Sequence, residues 1–165
     1  MRVIQPLMLE LADIVLVHGV GPISVGIEAV TKSAFSHVAL VADPTTRQLI
    51  EAQWGRDVGY QRLDYYAGAC LIVRYAGLSD TQRSGIVQYA RSKFGDPYDY
   101  NAIALELERY VFGRKLTDAE RNRFICSTLV GDAYSQGAAI RLSNQPLETP
   151  GDIYSCPSLV VVGRA

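Results

Sequence analysis

The 165-residue chain has little of what metal sites and acid–base centres are usually built from: two histidines, His18 and His37, and three cysteines, Cys70, Cys126 and Cys156. Three cysteines this far apart exclude a zinc knuckle or a disulfide framework. An odd count without a leader segment points to reduced thiols. Cys–His chemistry therefore has only two histidines and three cysteines to draw on. An excess of charge of one sign is also missing. Sixteen Lys and Arg face seventeen Asp and Glu, a formal charge of -1, so the basic excess or stripe of a nucleic-acid binder is absent. The short clusters Arg91–Lys93 and Arg114–Lys115 read as solvated faces.

No run approaches the roughly 18 apolar residues of a membrane span, so no integral membrane segment is expected. The N-terminal stretch is interrupted by Pro6, Glu10 and Asp13. It has neither a clean apolar region nor a small-residue cleavage site, so no signal peptide is read and a cytoplasmic location as synthesised is expected. Repeats, low-complexity tracts and linkers are absent, and one domain over residues 1–165 is expected. The composition, 48% apolar and 20% charged, excludes a disordered chain. At this length folding buries about 70% of the unfolded surface, enough for a core without staples.

Asp13–Val17, Ser36–Ala42, Cys70–Tyr75 and Ser158–Val162 are short apolar runs that read as strands, and Gln48–Trp54 reads as the return strand of a hairpin from Ser36–Ala42. Ser79-Asp80-Thr81-Gln82 and Thr117-Asp118-Ala119-Glu120 match capping boxes. The first opens a helix that ends at Gly95. Helical spacing also covers Ile23–Lys32 and Asn101–Phe112, and it continues past Thr117 through Cys126, Val130, Ala133 and Gly137. The last segment admits one helix from Thr117 or two with a break near Phe124. Helices and hairpins without regular βαβ alternation predict an α+β fold.

His37 gains interest from the hairpin. A three-residue turn gives strand pairs whose numbers sum to 88 or 90. Either register places Glu51 opposite or diagonal to His37, with Gln53 opposite in the second. A four-residue turn would move Glu51 to the wrong face. A carboxylate there would fix the imidazole tautomer and stabilise its protonated form. Cys70 inside a strand and Cys156 before Pro157 read as structural cysteines. Cys126 differs if a helix begins beside it, because first-turn N–H groups and the helix dipole favour a thiolate and could hold an oxyanion. If the helix begins at Thr117, that help is lost. His18 reads as a loop or surface residue. The glycines Gly19, Gly21 and Gly26 lack the spacing of a phosphate loop. Trp54, Tyr60, Tyr65 and Tyr66 read as core or cleft lining.

In order, the segments ADIVLVHG, SHVALV, LIEA, GDPYDY, RFICSTLVGDAY and TPGDIYSCP resemble the circularly permuted branch of the NlpC-type papain-like cysteine hydrolases, over roughly residues 12–157. In that branch the histidine strand precedes the cysteine helix. The resemblance implies a papain-like domain, a small antiparallel sheet packed against helices, with Cys126 as nucleophile starting a helix, His37 as base and Glu51 as the third member. It implies pocket positions for Tyr154, Tyr98 and Asp13, with a structural turn role favoured for Asp13; Tyr98 and Asp99 lie in the family's PYD segment. Ser127-Thr128 departs from the more usual Ser-Glu after the nucleophile. The implied activity is amide or peptide hydrolysis through an acyl-enzyme, on peptidoglycan-type peptides in the best-known members, with no metal and no cofactor. The tail resembles phage- or prophage-encoded members. Lipid acyl hydrolysis or transfer, isopeptide cleavage and a non-catalytic binding or assembly module on the same fold are the alternatives. Without a signal peptide, reaching cell wall would need another export or lysis route.

Overall fold

A computed structural model describes residues 7–19, 35–95 and 113–165. The segments expected as helices over 23–32 and 101–112, together with Tyr98 and Asp99, lie outside the described residues. The described elements run β1 (Ile14–His18), β2 (Phe35–Asp43), β3 (Gln48–Glu51), β4 (Gly59–Arg62), a 3-10 helix (Leu63–Tyr66), β5 (Cys70–Tyr75), α1 (Asp80–Ser92), α2 (Asp118–Ala138), α3 (Pro150–Tyr154) and β6 (Leu159–Arg164). The six strands form one sheet in the order β4-β3-β2-β1-β5-β6, with every neighbouring pair antiparallel. The protein is an α+β fold, as the sequence pattern predicts. No helix of the described residues is long and apolar enough to cross a membrane.

Period-two alternation gives the sheet two apolar faces. Ile14, Leu16, Val38, Leu40, Ala42, Ile50 and Val73 face α1 and α2 and form the larger core with Ile86, Ile125, Leu129, Val130 and Tyr134. Val15, Val17, Ala39, Val41, Leu49 and Ile72 face the other way and are covered by Leu63 and Tyr66 of the 3-10 helix, with Leu7 and Leu9 packed alongside. Leu16, Leu40, Ile50 and Leu129 are each fully buried, a contribution of about 1.5–3 kcal/mol per side chain.

Both expected capping boxes form. Ser79 Oγ accepts from the Gln82 N–H and Thr117 Oγ1 from the Glu120 N–H, and each N3 side chain accepts from the backbone N–H of its cap. A third box, unforeseen, opens α3: Thr149 Oγ1 accepts from the Asp152 N–H, and the Asp152 carboxylate accepts from the Thr149 N–H and hydroxyl. Helices α1 and α2 approach closely at Gly85 and Gly137, where a Cβ on either would collide with the other's backbone.

Candidate active site

The hairpin of β2 and β3 carries the first two site residues. Its turn holds four residues, Pro44–Arg47, not three, because Asp43 pairs with Gln48. Those numbers sum to an odd total, which alone would put Glu51 on the wrong face. A register shift between Val41 and Asp43 absorbs one residue of β2, and the pairs Val41↔Leu49 and Leu40↔Ile50 sum to 90. The bulge therefore restores parity. Continued along the strands, the register sets Gln53 level with His37 and Glu51 on the diagonal, on the face of Ala39, Val41 and Leu49.

The result is a buried ion pair: His37 Nε2 lies 2.8 Å from Glu51 Oε2. Two further donors hold the carboxylate. The Tyr66 hydroxyl donates to Oε2 at 2.6 Å and Gln53 Nε2 donates to Oε1 at 2.7 Å. Strand parity allows Gln53 as the residue opposite the histidine, and Tyr66 reads as core or cleft lining; in the structure both donate to Glu51. Tyr66 comes from the 3-10 helix, whose position after β4 no sequence pattern predicts.

Cys126, fully buried on α2, influences the same imidazole electrostatically. Burial by itself lowers the proton affinity of His37. The charge of Cys126 and a hydrogen bond with its sulfur, followed by the hydrogen bond and charge of Glu51, outweigh that and raise the His37 pKa to about 10. With Nε2 on Glu51, the nitrogen left for the sulfur is Nδ1. It is buried and makes no hydrogen bond among the described residues. The Cys126 thiol itself leans on the Arg123 carbonyl at 3.2 Å. The Trp54 N–H donates to Asn122 Oδ1 at 2.9 Å, tying the chain just after Glu51 and Gln53 to the helical turn before Cys126.

One expectation is corrected. Cys126 does not start a helix: α2 begins at Asp118, capped by Thr117, and Cys126 is its ninth residue. The capping box sets the start, and Phe124 does not break the helix. The backbone N–H groups around Cys126 are therefore committed to the helical ladder, and the dipole's influence is confined to the first turn. Neither is placed to act on a charge at Cys126 or on an oxyanion there.

Asp13 is not brought to this site. It is fully buried at the far end of β1 from Val17, the partner of His37. There it accepts from Arg74 Nε at 2.7 Å, Arg74 Nη2 at 2.8 Å and the Glu10 N–H at 2.8 Å. This is the structural turn role. Tyr154, 45% exposed, packs its ring 5.0 Å from Phe35, two residues before His37. Phe35 in turn lies 4.7 Å from the ring of His18. Cys70 is a core cysteine whose thiol donates to the Ala165 carbonyl at 3.3 Å, and Cys156 belongs to the larger core.

The fold is similar to that of the metalloprotein yiiX from Escherichia coli O157:H7, described as DUF1105, with a TM-score of 0.67 and 20% identity over 96% of this chain and 98% of that one. At that identity the likeness establishes a shared fold. No family model and no curated protein matches the chain. Among the described residues no group of three or more His, Cys, Asp and Glu side chains is placed to hold a metal ion.

Proposed function

We propose that the protein is a cysteine hydrolase that cleaves an amide or peptide bond through Cys126, His37 and Glu51, with peptidoglycan-type peptides as the substrate class its resemblance implies. The observation that carries this reading is the buried His37–Glu51 pair at 2.8 Å with Cys126 acting on the same ring. Glu51 keeps the proton on Nε2 and leaves Nδ1 to exchange a proton with the thiol. The Cys126 thiolate attacks the carbonyl carbon, a C–S bond forms and the carbonyl electrons move to oxygen. As the tetrahedral intermediate collapses, the C–N bond breaks and His37 delivers its proton to the leaving amine. Water, deprotonated by His37, then attacks the thioester and returns the thiol. The oxyanion donors must come from outside the α2 backbone.

The test is acyl-enzyme trapping. The protein is incubated with a panel of peptide amides and muropeptides, quenched in acid and mapped by mass spectrometry. An acyl adduct on Cys126 and loss of turnover in Cys126→Ser are expected. Turnover that survives Cys126→Ala would overturn the reading.

A further inference from the structure

We propose that Tyr66 is a positioning residue that holds the Glu51 carboxylate against His37; this rests on the Cys126–His37–Glu51 reading and extends it to a fourth side chain. The carboxylate is gripped from three sides. Oε2 accepts from His37 Nε2 at 2.8 Å and from the Tyr66 hydroxyl at 2.6 Å, and Oε1 accepts from Gln53 Nε2 at 2.7 Å. Gln53 Nε2 also donates to the Tyr66 oxygen at 3.1 Å. The phenol's lone pair is thus engaged while its single proton is committed to Glu51. A carboxylate bonded only to His37 could turn about its last side-chain torsion, which is soft. The second and third donors remove that freedom.

Tyr66 is a permanent donor. Burial, then the charge of Glu51 and the hydrogen bond to it, raise its pKa well above the ordinary phenol value, so it has no proton to lose at working pH. A tyrosine kept for volume alone would satisfy its hydroxyl with water or a backbone carbonyl. Here a buried ring, with its centroid 5.7 Å from that of His37, turns the hydroxyl to the carboxylate that contacts the histidine. Charge-assisted O–H···O⁻ bonds are about twice as strong as neutral ones. Among the described residues, the groups facing His37 are Cys126 from α2, Glu51 from β3 and the Tyr66 ring from the 3-10 helix. The Tyr66 hydroxyl bonds Glu51 and not the imidazole, so Tyr66 acts on His37 through Glu51.

The chain has two histidines, so protein labelled with 15N-histidine shows two imidazoles by long-range 1H–15N NMR, and the exposed His18 serves as an internal reference. The full chain is titrated as wild type, Tyr66→Phe, Gln53→Met, Glu51→Gln and the Tyr66→Phe/Glu51→Gln double variant. The series is repeated with Cys126→Ala to remove the sulfur's contribution. Tyr66→Phe is expected to lower the His37 inflection by about one pH unit, a tenfold loss of proton affinity. Gln53→Met should move it in the same direction and His18 should stay put. In the Glu51→Gln background Tyr66→Phe should add nothing, because its path to the ring is gone. A His37 inflection untouched by Tyr66→Phe, or moved as much without Glu51 as with it, overturns the proposal. The readout is the imidazole and not turnover. A protein that shows these shifts yet forms no acyl-enzyme would refute the hydrolase reading and leave the positioning role standing.

Discussion

Glu148 offers a perturbation whose size follows from its surroundings. Its carboxyl lies against the backbone of α2, where a Cβ added at Gly131 would sit 2.7 Å from Oε1. Burial, followed by the charges of Asp132 and Asp152, raises the Glu148 pKa to about 7 against the opposing pull of Arg141. A rise from 4.5 to about 7 corresponds to roughly 3.4 kcal/mol at 1.36 kcal/mol per pH unit. The side chain is only partly buried, and solvent screening brings the figure to about 1–2 kcal/mol. The sign follows from proton binding. Between about pH 4.5 and 7 the folded protein holds a proton on Glu148 that the unfolded chain has released, so stability falls as pH rises through this window. Below it the penalty is absent, and above it the penalty is complete. Glu148→Gln keeps the shape and removes the ionisation. At pH 8 the variant should melt roughly 2–8 °C above wild type, taking about 2–4 °C per kcal/mol for a chain of this size. The difference should shrink toward its acid limit by about pH 4.5. Melting curves by circular dichroism across this range measure it, and titrations of groups that do not interact with Glu148 cancel between the two proteins. An offset that is the same at every pH, or a variant less stable than wild type at pH 8, would refute the reasoning.

Iodoacetamide at pH 6 should label Cys126 ahead of Cys70 and Cys156, an order opposite to their exposures of 0%, 4% and 8%. An ordinary thiol is only about 0.3% ionised at that pH; peptide mapping reads the result, and His37→Ala should erase the preference. Glu51→Ala should lower turnover by about 10- to 10⁴-fold, the range for loss of an orienting acid, with Glu51→Gln milder because its amide oxygen still accepts from Nε2; steady-state kinetics on any substrate found by trapping will show it. Cys126→Ser should leave stability within about 1.5 kcal/mol of wild type, since volume is nearly kept and the hydroxyl can donate to the Arg123 carbonyl in place of the thiol. Gly85→Ala should cost at least about 1–3 kcal/mol by overpacking two backbones, measured by urea denaturation; an unchanged midpoint would mean the helices separate freely.

Where local chemistry decides structure, the sequence was readable. The capping boxes at Ser79 and Thr117 depend on residues three apart and form as read. The apolar run of β5 was read to its full extent. Strand β4, by contrast, is Gly-Tyr-Gln-Arg, half-exposed at a sheet edge, and has no alternation to detect. The start of α2 at Thr117 and the placement of Cys126 compete in the sequence. The family resemblance favoured a helix start at the cysteine, whereas the capping box and unbroken helical spacing favoured Thr117, which the structure adopts. The pairing of His37 with Glu51 was foreseen from strand parity, but through a shorter turn than the one present. The same parity places Gln53 level with His37, but Tyr66 is visible only as a residue type, because its partnership with Glu51 depends on where a 3-10 helix brings a ring after two changes of chain direction.

Surface turns are ordinarily where chain length drifts at little cost. The connection Pro44–Arg47 is an exception. Its four residues and the extra residue of β2 are a matched pair, each compensating the other's offset. Deleting one residue from the bulge, or inserting one in the turn without a second change, would rotate Glu51 to the opposite face and leave every site residue in place on paper. A comparison of sequences that scored only His37, Glu51 and Cys126 would accept such a chain as intact. The spacing of fourteen residues from His37 to Glu51 is thus as much a part of the site as the residues, and relatives that differ in loop length should do so by paired changes that conserve parity.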